Sequence, residues 1–96
     1  MVKKKPKIQW TDQAKASLKS VYDFYKHKSL QGAKNVRDDI YKSPETILFA
    51  KQYQVDEYNP DCRRIVVRDY KVLYRETENT IYIVDVICTL QDPPEI

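Results

Sequence analysis

Glycine is almost missing from this 96-residue chain, with Gly32 as its single example. Loops that cradle phosphates need several glycines so that backbone N–H groups can approach the anion, so a Gly-rich nucleotide site is excluded. Cysteine is scarce too. Cys62 and Cys88 make neither a disulfide framework nor a zinc set, and they read as two reduced, half-buried thiols of a cytosolic protein. There is one histidine, His27, and no metal-ligand spacing, Ser-His-Asp set or Cys-His set surrounds it. It falls near the expected end of the first helix, where a cation suits the helix dipole. No apolar run is long enough to span a bilayer. The opening "MVKKKPKIQW" has lysines but lacks the apolar segment of a secretory signal. A cytoplasmic protein with no cofactor, no metal and no membrane contact is expected.

What is present is charge, tyrosine and strong periodicity. The net charge of +3 permits an acidic partner or a nucleic acid without demanding either. The length predicts a single domain over 1–96, with a basic tail at 1–6 and an irregular, proline-bearing tail at 89–96. "KIQW" alternates and predicts a short first strand. Thr11 caps a helix carrying Ala14, Leu18, Val21, Tyr22 and Tyr25 at helical spacing, with Lys15 and Lys19 on its wet side. Ser29 caps a second helix with the stripe Ala33, Val36 and Ile40, and with Asp38 and Asp39 on its solvated face. "SPE" signals a further helical start, and "ETILFA" is expected to be a short third helical segment. "KQYQVDEYNPD" shows no clear period and reads as a loop.

Three strands follow with hardly a break. "RRIVVR" and "YKVLYRE" make a tight hairpin, and Asn79 in "TENT" suits a left-handed turn. "IYIVDVIC" is nearly all apolar, which predicts a central strand buried on both faces. The order is β-α-α-β-β-β: an α+β fold with an antiparallel sheet and a helical hairpin packed on one face. Strand side chains alternate, so Ile65, Val67, Val72 and Tyr74 should face the helices. Arg64, Arg68, Lys71 and Arg75 should then gather on the opposite, open face. Four neighbouring cations repel one another unless anions answer them, and phosphates or a partner's carboxylates are natural complements. The plainer alternative is an ordinary solvated sheet face, paired with Asp69, Glu76 and Asp85. The residues alone weigh the two about equally.

The segment "PDCRRIVVRDYKVLYRETENTIYIVDVI" resembles the strand core of the RelE/ParE superfamily of bacterial toxins, also called plasmid stabilisation proteins. "VYDFY" and "SLQGAKNVRDDI" are similar to its helical hairpin, so the resemblance covers nearly the whole chain. It implies the toxin of a type II toxin–antitoxin module, neutralised by a cognate, acidic antitoxin. One branch of the superfamily cleaves mRNA on the ribosome without a metal, and the other poisons DNA gyrase. The resemblance assigns Arg64, Arg68 and Lys71 to the catalytic face of a metal-independent mRNA endoribonuclease, with Arg75 as a substrate contact. The set is incomplete. Val66 stands where a second lysine is frequent, Leu90 where an arginine is usual, and no Tyr or His follows it. The basic face favours action on translation. The alternatives are a gyrase inhibitor, a member that binds antitoxin without toxicity, and a plain nucleic-acid-binding domain.

Overall fold

The computed structural model describes residues 5–91. Strand β1 (Lys7–Trp10) runs into helix α1 (Asp12–Lys26), and helix α2 (Leu30–Lys42) returns beside it. Short 3-10 turns at Ser43–Thr46 and Ala50–Gln52 lead to β2 (Arg63–Val67), β3 (Tyr70–Thr77) and β4 (Thr80–Cys88). A last 3-10 turn covers Thr89–Gln91.

Local chemistry sets the helix ends. The Thr11 hydroxyl accepts from the Ala14 N–H, and the Ser29 hydroxyl accepts from the Gly32 N–H. Thr11 also donates its hydroxyl proton to the Ile83 carbonyl at 2.7 Å, so the cap that starts α1 fastens it to β4. Strand β4 carries an irregularity there. Leu73 pairs with Asp85 but Tyr74 pairs with Ile83, which leaves Val84 as the extra residue of a bulge. His27 is the C-cap of α1, its backbone N–H donating to the Tyr25 carbonyl, so it lies at the helix end as expected. The "ETILFA" segment is not a third α-helix. It holds the end of one 3-10 turn and the start of another, separated by extended backbone at Ile47 and Phe49.

The sheet order is β1-β4-β3-β2. The last three strands are antiparallel, while β1 joins β4 in parallel, so the sheet is mixed rather than wholly antiparallel. The reason is topological. The helical hairpin carries the chain across one face, and the strands that follow return β4 in the direction of β1. The hairpin turn at Glu78 and Asn79 has φ of 51° and 60°, the left-handed pair that matches strand twist.

Ala14, Leu18 and Val21 of α1 and Val36 and Ile40 of α2 pack on the sheet, and Ala33 of α2 is buried as well. They meet Ile65, Tyr70, Val72, Tyr74, Ile81, Ile83 and Val86, all buried, with Val67 half-buried at the margin. The helix-facing set expected from alternation is therefore the observed core. Strand β4 is central, as expected, yet it is not buried on both faces, since Tyr82 is exposed. The doubly buried strand is β3, whose residues Tyr70 to Tyr74 are all buried. Among the described residues no helix is long and apolar enough to cross a membrane. The expected tail at 1–6 lies within the described residues only at Lys5 and Pro6, and that at 89–96 only as far as Gln91.

Val72 has no exposed surface and sits between the helices and the neighbouring strands. Val72→Asp is expected to abolish cooperative folding, because an unpaired buried carboxylate costs several kcal/mol of a marginal stability. Circular dichroism during thermal melting checks this, and an unchanged Tm would reject the assignment of that face to the core.

Candidate functional site

Strand β3 is buried on its second face because the chain covers it. The segment Tyr53–Cys62, a strap before β2, first runs along the outer edge of that strand. The Arg64 N–H donates to the Gln54 carbonyl at 3.0 Å, and Val55 bridges Arg63 antiparallel. The strap then doubles back, with the Asp56 N–H on the Cys62 carbonyl at 2.9 Å and the Cys62 N–H on the Asn59 carbonyl at 2.8 Å. Asp56 organises this turn. Its Oδ2 accepts from the Tyr58 N–H at 3.1 Å, the Asn59 N–H at 3.0 Å and the Asn59 side-chain amide at 2.9 Å.

The other oxygen of Asp56 meets Lys71. Lys71 Nζ donates to Asp56 Oδ1 at 2.9 Å, and both residues are only 2% exposed. The Tyr58 ring lies 5.0 Å from the same ammonium and adds a cation–π contact. Burial alone would push the Asp56 carboxyl up. The hydrogen bonds and charge of Lys71, with Asn59 and the Tyr58 N–H, outweigh it and hold the carboxyl below its ordinary range.

Lys71 was expected on an exposed face, and the structure corrects this. The face assignment is right, since Lys71 pairs with Val66 and Leu73 with Arg64 across the hairpin. The exposure is not, because Asp56 and Tyr58 of the strap close over Lys71. Arg64 is on the same face and half-buried, donating to the Val55 carbonyl at 2.8 Å and to Gln54 Oε1 at 3.2 Å. Arg75 stays half exposed, 3.5 Å from Asp61. Arg68 does not join the others. It occupies the β2–β3 turn with φ of 55° and turns toward the helices, where its Nε and Nη2 donate to Asp39 Oδ2 at 2.9 and 2.7 Å.

The expected acidic partners change as well. Asp56, Asp39 and Asp61 hold the cations, whereas Glu76 accepts the Asn79 N–H in its turn and Asp85 accepts from Ser17. Among the described residues the open-face cluster of four uncompensated cations is therefore replaced by three separate ion pairs, of Lys71, Arg68 and Arg75, while Arg64 is held by two neutral oxygens. A hollow of about 170 Å³ remains beside Arg64 and Lys71, but Asp56 and Glu57 also line it. It is smaller than typical ligand pockets and carries charges of both signs.

The hydroxyl and thiol groups nearby are poorly placed to act as bases. Tyr74 donates its hydroxyl to the Ala50 carbonyl at 2.8 Å, and burial pushes its pKa up. Burial, then the hydrogen bond with Tyr25, raises Tyr70 to about 12. Burial also raises the Cys62 thiol, followed by the charge of Asp61, which disfavours its thiolate. Leu90 is 83% exposed. The residues that sequence reasoning passed over are Asp56, Tyr58 and Asn59. Their signal was present in "DEYNPD", where an Asp precedes an Asn-Pro pair at the spacing of a side-chain-closed turn.

The sequence pattern of the family described as the ParE toxin of the type II toxin–antitoxin system parDE matches residues 8–93. The chain belongs to the ParE toxin family. A solved structure titled as the chromosomal ParDE toxin–antitoxin system from P. aeruginosa superposes with a TM-score of 0.76. It shares 19% sequence identity and covers 88% of this chain and 96% of that one, so it speaks for the fold. No curated protein matches the chain. Within the ParE fold, the ion pair Asp56–Lys71 closes the strap over the sheet.

Asp56→Asn keeps an acceptor for the strap's N–H groups but removes the carboxylate charge that Lys71 meets in the strap. A loss of about 3–5 kcal/mol is expected in urea denaturation. Asp56→Asn/Lys71→Met removes both charges and should recover most of it. The pH dependence follows from the depressed carboxyl. Its stabilisation is complete above the ordinary value of 3.8 and is lost as pH falls below that value toward the lower folded one. Native protein should lose stability over that acid range more steeply than Asp56→Asn does.

Proposed function

We propose that this chain is the toxin of a type II module and that it arrests growth by binding a protein target, DNA gyrase, rather than by cleaving mRNA. The observation that carries this reading is the buried Asp56–Lys71 pair. A ribonuclease of this fold needs free cations to stabilise the phosphorane as it forms, together with a group to take the 2′-hydroxyl proton. Here the central cation is already neutralised by the chain's own carboxylate. Arg68 is committed to Asp39 on the helix side, and Arg64 to two strap carbonyl-type oxygens. Val66 and Leu90 add no charge. A phosphate entering there would have to break the strap and leave Asp56 unpaired beside it, which is unfavourable by several kcal/mol.

The same reading takes a cognate antitoxin as the partner. Toxin and antitoxin meet in the cytoplasm, with no membrane involved. Antitoxin segments that order on binding bury large surfaces, which suits a small toxin with exposed apolar side chains such as Phe24, Leu30, Leu48 and Phe49.

Induced expression in a bacterium tests the target. The expected outcome is growth arrest with altered plasmid supercoiling while ribosome-bound mRNA stays intact. Purified chain should inhibit gyrase supercoiling, and Arg64→Ala/Arg75→Ala should retain most of that inhibition. Site-specific mRNA cleavage during arrest, abolished by Arg64→Ala with the fold intact, would overturn the reading in favour of translation.

A further inference from the structure

Two hollows of the fold lie toward opposite edges of the sheet. One is a groove of about 460 Å³ beside β1, walled by Ile8, Trp10 and Tyr41. The other, of about 170 Å³, lies at the strap and is lined by Asp56, Tyr58, Arg64 and Lys71 among others. The strap is held differently from an ordinary surface loop. Along residues 54–61, Asp56 is the one buried residue, while Val55 and Tyr58 are exposed. This stretch therefore has no buried apolar anchor and is seated by a carboxylate. The two oxygens of Asp56 have separate tasks. Oδ2 accepts from the Tyr58 N–H, the Asn59 N–H and the Asn59 amide, all within the strap. The Cys62 N–H on the Asn59 carbonyl completes that turn. Oδ1 faces the sheet and takes the Lys71 ammonium, over which the Tyr58 ring also lies. The bonds that shape the tip are thus distinct from those that seat it. Residues 56–61 can lift as a preformed unit, with the Arg64 N–H on the Gln54 carbonyl as the fixed end.

The energetics favour such a movement. An apolar lid loses its burial when it opens. Here opening returns a carboxylate and an ammonium to water, and their regained hydration offsets much of the lost attraction. The core beneath need not change, because the strap covers a separate layer. Cys62, Lys71 and Leu73 are buried yet stand outside the cluster that joins the helices to the sheet. The surface that opening uncovers is cationic. Arg64 lies opposite Leu73 in the hairpin register, and Lys71, Leu73 and Arg75 share one face of β3.

We infer that the strap is an autoinhibitory lid: residues 56–61 open as a unit while the sheet stays folded, and the Asp56 carboxylate is a built-in anion that keeps phosphate-bearing ligands off Lys71 and Arg64. In the open form Asp56 moves into water, so an entering phosphate meets the cations without a carboxylate beside it. The closed form predominates. A ligand that needs the open form binds more weakly in proportion to how rarely the lid opens. The lid does not depend on the target of the toxin, because it governs access to β3 and adds no chemistry there.

Thiol labelling of the full chain in a Cys88→Ser background reads the opening, since Cys62 is only 4% exposed with the strap closed. Cys62 should react in water far faster than global unfolding allows. Low urea should barely change the rate, because local opening exposes little surface. Tyr58→Ala removes a contact over Lys71 and leaves the net charge unaltered. Its labelling rate should rise about tenfold with Tm near native, and its affinity for single-stranded oligothymidylate at fixed salt should rise by the same factor. Asp56→Asn should raise both further; if it fails to fold, Tyr58→Ala carries the test. Asp56→Asn/Lys71→Met should lose the gain in affinity. Glu57→Gln removes one strap charge, keeps Asp56 and Tyr58 in place, and should leave labelling and affinity near native. Tripolyphosphate that displaces the oligothymidylate would support the lid and assign its ligand to phosphate as such. Oligothymidylate that binds Tyr58→Ala more tightly yet resists tripolyphosphate would support the lid and assign a nucleic-acid strand. Cys62 labelling that follows the rate and urea dependence of global unfolding would overturn the lid. Faster labelling of Tyr58→Ala with unchanged affinity would overturn its autoinhibitory role.

Discussion

One carboxylate decides how this sheet is used. Asp56 spends both oxygens inside the protein, one on the turn that shapes the strap and one on the ammonium of Lys71. Neither charge is tolerable alone at that depth, so the pair acts as a joint condition for the closed strap. Its consequences run outward. Lys71 becomes buried, Arg64 is drawn to the strap's oxygens, and β3 is the strand whose residues Tyr70 to Tyr74 are all buried. The face that would otherwise be a cationic platform becomes a second, polar layer of the core.

That arrangement separates two surfaces that family resemblance tends to merge. On the strap side Lys71 and Arg75 meet carboxylates of the same chain, while Lys15 and Lys19 of α1, beside β1, stand exposed. Charge of the same sign therefore has two meanings in one molecule. On β3 it is a structural counterion, and on α1 it remains available to a partner. Counting basic residues cannot separate these, since the difference lies in whether an acid of the same chain reaches them.

The features legible in the sequence were those fixed by neighbouring residues. Thr11 and Ser29 cap their helices through side chains three positions from the amides they accept, and Asn79 turns left-handed within its own hairpin. The alternation of Ile65, Val72 and Tyr74 read the core face correctly because hairpin register is local. The strap was illegible because Lys71 meets a residue 15 positions earlier, in a stretch with no period. Alternation reports which face a side chain leaves by and says nothing of what covers that face. Arg68 escaped for another reason. It sits in the turn, where strand alternation no longer applies and the left-handed backbone redirects the side chain to Asp39. The parallel sense of β1 was equally hidden, since its partner strand lies at the other end of the described chain.

That parallel pairing also imposes an order of events. Thr11 and its Ile83 acceptor are separated by 72 residues, so the β1–β4 closure carries a large loop-closure cost. The helical hairpin and the β2–β3–β4 meander can form from nearby contacts, while β1 must wait for β4. During synthesis, the first strand emerges early and remains without its sheet until the last described strand has left the ribosome. Trp10 and Ile8 then take their places as the wall of the groove. The groove beside β1 thus takes shape at the same step that completes the sheet, and partly made chains lack both.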